Sequence, residues 1–190
     1  MKKLALILAL IIAMALPSSA LTPTDLVGLW ESKWIDIPSE MRELVLKEKE
    51  SLDIKADSTF YMDAQMQTTI LGRPSVDMYV YVKAHGKWTL EADSVTFNVD
   101  PASIEIDFPE EEIRIMGLDN PDQESMIKSQ MHYNFTSQVK EMRKELDKFT
   151  YYNLVVIEEK KGRVLECSDP ANKIDKRRYT AKQDKKKKKK

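Results

Sequence analysis

The sequence predicts a mainly β fold, an antiparallel barrel of about eight to ten strands with one long amphipathic helix late in the chain. Three observations predict it. Residues 22–30 read Thr-Pro-Thr-Asp-Leu-Val-Gly-Leu-Trp, a one-turn helical start running into Gly28-x-Trp30. A glycine before an inward-facing tryptophan lets a first strand bend sharply while the indole plugs the end of a small barrel, whose lumen can hold one small ligand. The chain then alternates apolar and polar residues over long runs, the period of half-buried strands. A single stretch, 122–149, changes to helical spacing.

The first twenty residues carry Lys2 and Lys3, an apolar run over 4–16 and then Pro17, Ser18, Ser19 and Ala20. That is the pattern of a secretory signal peptide with small residues at the cleavage positions, so cleavage is expected near Ala20. The apolar run is too short to span a bilayer, and no Cys follows it for lipid attachment. The expectation is a soluble exported protein, secreted or periplasmic, with no transmembrane segment in the mature chain. Residues 21–182 then have the length of one domain with a single core. Cys167 is the only cysteine, so no intramolecular disulfide can form and stability must come from packing.

Residues 59–70 place Phe60, Met62, Ala64, Met66, Thr68 and Ile70 on one face of a strand, with Tyr61, Asp63, Gln65 and Gln67 on the other. Met78, Val80, Val82 and Ala84 repeat the pattern toward Gly86 and Trp88, and Val95, Phe97 and Val99 repeat it after a turn. Ile104 with Ile106 and Ile113 with Ile115 continue it around Pro109. The series reads as an antiparallel meander. Residues 41–55 fit a long strand, because Leu44, Leu46, Leu52 and Ile54 keep period two; a short helix from Ser39 is the alternative.

Asn120, Pro121 and Asp122 form a helix start, after which Ile127, Met131, Phe135, Val139, Met142, Leu146 and Phe149 recur at three- and four-residue steps through about seven turns. The opposite face is charged, so one side seeks burial against the barrel wall or over its mouth. Strand signals resume over 151–158, return over 163–167 and close over 177–181. Residues 183–190 end in six lysines, read as a disordered tail.

With Gly28-Leu29-Trp30, Gly86-Lys87-Trp88, the strand count and the late helix, the chain resembles the lipocalin-like (calycin) group, and most nearly its exported bacterial domains. The resemblance runs from Leu26 to about Lys182. It implies a non-enzymatic carrier of a small apolar or amphipathic ligand. It also implies that an arginine near the chain end stacks on the first-strand tryptophan, for which Arg177 and Arg178 are the matches and Arg178, beside Tyr179, the preferred one. The chain departs from the group in lacking a cysteine pair and a Thr-Asp-x-x-Tyr signature.

Gly28, Trp30, Trp88 and Arg178 are therefore expected to close the barrel. Trp34, four residues beyond Trp30, is expected to line the lumen with Phe60, Met62, Met66, Met78 and Val80, while Met131 and Phe135 on the helix form its lid. Methionines suit an adaptable cavity, although core filling is their commoner use.

Other chemistry is thinly supplied. His85 and His132 have no Cys or His near them in sequence, so no metal or cofactor is expected. Cys167 reads as a buried strand thiol rather than a nucleophile, and the acidic cluster at 110–112 as a solvated turn rather than a calcium loop. No catalytic residue is assigned. An enzyme would need His85 or His132 to meet Cys167 or paired carboxylates in one cleft.

Of the 30 basic residues, eight lie at Lys2, Lys3 and 185–190, leaving 22 in the body against 31 acidic ones. An acidic body argues against nucleic acid as a partner. The lysine run is suited to weak contact with an anionic membrane surface. The competing function is an envelope-associated interaction or structural module with a filled barrel.

Overall fold

The computed structural model describes residues 21–182, so the leader expected over 1–20 and the lysine run at 185–190 lie outside the described residues. Eight antiparallel strands close on themselves: β1 (Gly28–Ser32), β3 (Leu44–Ile54), β4 (Thr59–Ile70), β5 (Ser75–Glu91), β6 (Ser94–Val99), β9 (Lys148–Glu159), β10 (Gly162–Asp169) and β11 (Ile174–Ala181). Trp30 makes the closure, pairing with Leu52 of β3 on one side and Ala181 of β11 on the other. Three further strands lie off the ring. β2 (Ile35–Ile37) extends the edge of β3, while β7 (Glu105–Asp107) and β8 (Arg114–Met116) pair with the part of β5 that β6 does not reach.

The expected alternation is what curls this sheet. β4 and β5 pair without a register break from Ile70 against Val76 to Thr59 against Lys87. Phe60, Met62, Ala64, Val76, Met78, Val80, Val82 and Ala84 are all buried inside the ring, and Tyr61 and His85 face out. The ambiguous segment over 41–55 is a strand, because pairing against β4 buries Leu52 and Ile54 on the inner face.

Two glycines are fixed by geometry. Gly28 has φ +144°, a conformation that L side chains rarely adopt. At Gly86 a Cβ would lie 2.1 Å from the Asn98 carbonyl oxygen, so β5 and β6 approach closely only because no side chain is there.

At the base of the barrel Trp30 is fully buried, and its indole N–H donates to the Leu26 carbonyl at 2.6 Å. Leu26 ends the short helix α1 (Pro23–Leu26), which starts at a capping box made by Thr22 and Asp25. Trp88 is also buried, and its indole N–H donates to the Lys55 carbonyl at 3.0 Å, tying down the β3–β4 turn. Phe60, Phe97 and Phe149 form an aromatic cluster with centroid separations of 4.8 to 6.0 Å, Phe97 stacked on Phe149 and Phe60 edge-on to both.

The long helix α2 (Pro121–Glu145) begins where expected, with the Asn120 side chain accepting from the Asp122 and Gln123 amides. It ends earlier than the periodicity suggests. Phe149 belongs to β9, where it pairs with Phe97 and continues the aromatic stack rather than the helical stripe. No α2 residue is fully buried; Met131 and Phe135 are half-buried against the core, and Phe135 lies 4.3 Å from the Phe108 ring, centroid to centroid. The helix thus rests on the wall beside β7 rather than threading the core.

Candidate functional site

Above the apolar base, the barrel interior carries a layer of charge. Period two along β3 points Leu52 and Ile54 inward, and the same parity carries Glu50 and Glu48 to the inner face. On β11 it brings Arg177 and Tyr179 inward and leaves Arg178 outside, and on β10 Cys167 and Asp169 are buried. Tyr151 completes the layer from β9.

Arg177, only 1% exposed, organises the group. Its two terminal nitrogens fork onto Glu48 at 2.9 and 3.1 Å, and its Nε donates to Asp169 at 2.9 Å. Glu50, 2% exposed, lies 3.4 Å from the same guanidinium. The Tyr151 and Tyr179 hydroxyls donate to Glu50 Oε2 at 2.8 and 2.6 Å. Oε2 therefore takes three donors, while Glu50 Oε1 is buried with no hydrogen-bond partner.

Three carboxylates and one guanidinium thus share a largely buried space, in which the Glu48 side chain keeps 12% of its surface exposed. Burial, reinforced by the Glu48 charge, pushes the Glu50 carboxyl up to about 7 against the opposing pull of Arg177 and the two tyrosines. Burial also drives both tyrosine phenols well up, and the Cys167 thiol to about 12. A thiol held protonated in this way is no nucleophile at neutral pH.

The structure places the candidate lumen residues as follows. Phe60, Met62, Met78 and Val80 are buried in the core, with Met66, Met131 and Phe135 half-buried against it. Trp34 is a correction. It is 42% exposed, tilted against the outward Tyr79 at 6.5 Å, in a groove of about 740 Å³ with Lys33, Lys49 and Lys182. The chain leaves the ring after Ser32, so the parity set by Trp30 does not carry to position 34.

Arg178 is a second correction. It faces out, paired with Glu159 and Glu166. The cation over the Trp30 ring is Arg163, 5.2 Å from its centroid, which also donates to the Asp25 carbonyl. Pairing of Trp30 with Ala181 and of Thr180 with Val164 brings the start of β10 level with the indole, two strands away.

Two further hollows open among outward side chains of β4 and β5. One of about 320 Å³ includes Tyr61, Lys83 and His85, and one of about 760 Å³ includes Asp63, Tyr81, Asp107 and Glu112. His85 stands there beside Tyr61, while His132 sits on α2 with its Nδ1 3.0 Å from the Phe108 carbonyl. Cys167 lies inside the ring, so it and the two histidines occupy three different surfaces. Among the described residues no group of three or more His, Cys, Asp and Glu is disposed to hold a metal ion, and no helix is long and apolar enough to cross a membrane. No family model matches the chain, and no curated protein matches its sequence.

Proposed function

We propose that this protein is an exported, lipocalin-like carrier that holds one small amphipathic molecule inside its barrel and performs no chemistry on it. The observation that carries the reading is Glu50, a fully buried carboxylate with an unpartnered oxygen, set beside a buried arginine. A buried ion group of this kind is often less stabilising than apolar side chains of similar volume. Strongly perturbed groups of this sort gather at functional sites.

In this reading the polar layer receives the head of the ligand and Met62, Met66 and Met78 receive its chain. Methionine has three flexible torsions and repacks readily, which suits an interior that closes on itself when empty. Access is by α2, whose apolar stripe is only half-buried and packs Phe135 on Phe108.

Decanol tests the reading, since it is amphipathic and uncharged. Binding to the folded form alone must raise the melting temperature with concentration, and native mass spectrometry of the full chain should show one molecule bound. No thermal shift and no bound species would overturn it. The outer trough of Asp63, Asp107 and Glu112 favours a second reading, an envelope interaction module with a permanently filled barrel. That reading predicts no response to decanol.

A further inference from the structure

We infer that the barrel interior selects a cationic head group, a primary ammonium on an apolar chain, and rejects carboxylates, because Glu50 Oε1 is a buried acceptor without a donor in a layer where acidic groups outnumber basic ones. The inference rests on the lumen-binding reading above and specifies its ligand class.

The geometry assigns the parts. Arg177 is already committed to Glu48 and Asp169, and its reach to Glu50 is the longest of its contacts at 3.4 Å. Glu50 Oε2 is occupied by both tyrosine hydroxyls, which leaves Oε1 as the open acceptor. With all groups ionised the layer holds three negative charges against one positive. An incoming carboxylate would meet that excess where little water screens it. An ammonium offers Oε1 a charge-assisted donor and brings the layer closer to neutrality.

The groups facing Glu50 are Glu48 from its own strand, Tyr151 from β9, Cys167 and Asp169 from β10, and Arg177 and Tyr179 from β11; Ser32 of β1 accepts from the Glu50 backbone N–H at 2.8 Å and does not titrate. Glu50 is the member that titrates near neutrality. Ammonium binding needs it ionised, so each binding event below about pH 7 releases one proton from Glu50 to solvent. Affinity for the cation therefore rises about tenfold between about pH 6 and 8, whereas affinity for a neutral alcohol does not.

The experiment is calorimetric titration of the full chain with decylammonium, decanol and decanoate, each below its micellar concentration. The expected result at about pH 8 is decylammonium binding at least about tenfold more tightly than decanoate, with decanol between them. Glu50→Gln should remove both the preference for the ammonium over the carboxylate and the pH dependence of its binding. Should that variant not fold, the pH series on the wild-type chain decides alone. Decanoate binding as tightly as decylammonium, or a cation affinity flat from about pH 6 to 8, overturns the inference while the carrier reading stands. Failure of all three ligands to bind overturns the carrier reading itself.

Discussion

A buried carboxylate set beside a second carboxylate keeps its proton until the solution is nearly neutral, and this shapes how Glu50 contributes to stability. Its folded-state value of about 7 lies above the ordinary 4.5, so between those limits the native protein holds a proton that the unfolded chain has released. The stabilisation is full below about pH 4.5, declines as pH rises and is lost by about pH 7. A shift of this size corresponds to on the order of 3 kcal/mol. Urea denaturation of wild type and Glu50→Gln should therefore show the variant gaining on the wild type by that order from about pH 5 to 8; a difference independent of pH would contradict the burial of an ionisable Glu50. Arg163→Met should lower stability by about 1 to 2 kcal/mol, through loss of its contact with Trp30 and its bond to the Asp25 carbonyl. Arg178→Met, which removes only exposed pairs, should leave the urea midpoint unchanged; the reverse order would restore Arg178 as the partner of Trp30. The charged layer was legible in part, since the parity that turns Leu52 inward also turns Glu50 and Glu48 inward. What local spacing could not supply was the pairing across 127 residues that sets Arg177 against Glu50, or the strand offset that selects Arg163.

The strands were legible because their alternation is enforced at every residue by a wet outer face and a dry inner one. Gly86 shows how tightly the elements then fit. Gly86→Ala would place a methyl 2.1 Å from a backbone oxygen, and strand separation or backbone shift should cost about 3 kcal/mol, read as a lower urea midpoint. An unchanged midpoint would mean that β5 and β6 are not held this close. The end of α2 was not legible, since Phe149 keeps the helical step yet finds better partners in Phe60 and Phe97. Tertiary packing overrode the local period there, and Trp34 shows the same effect where β1 stops. α2 itself has half-buried contacts only, so its amides should exchange with deuterium well before those of β4 and β5. Equal protection of helix and strands would rule out its service as a lid.

At the scale of the whole molecule, closure of the ring leaves no free edge along most of β1, β3, β4 and β11, and directs every inward side chain into one interior. The interior at the base is aromatic and aliphatic, around Trp30, Phe60 and Phe97; the charges gather above it, level with Ala64 and Met66, and buried Met78 and Val76 lie beyond them. A barrel needing only stability would be served as well by apolar residues at 50 and 177. The methionines supply reporters of whether the interior is used, because Met62, Met66 and Met78 face inward while Met41, Met116 and Met126 are exposed. Methyl NMR of the full chain titrated with decylammonium is the most direct test. If the interior is the binding site, the Met62, Met66 and Met78 methyl signals move together and saturate at one equivalent, with the exposed three unmoved. Shifts confined to Met41, Met116 and Met126, or no shift at all, would place the protein's function outside the barrel.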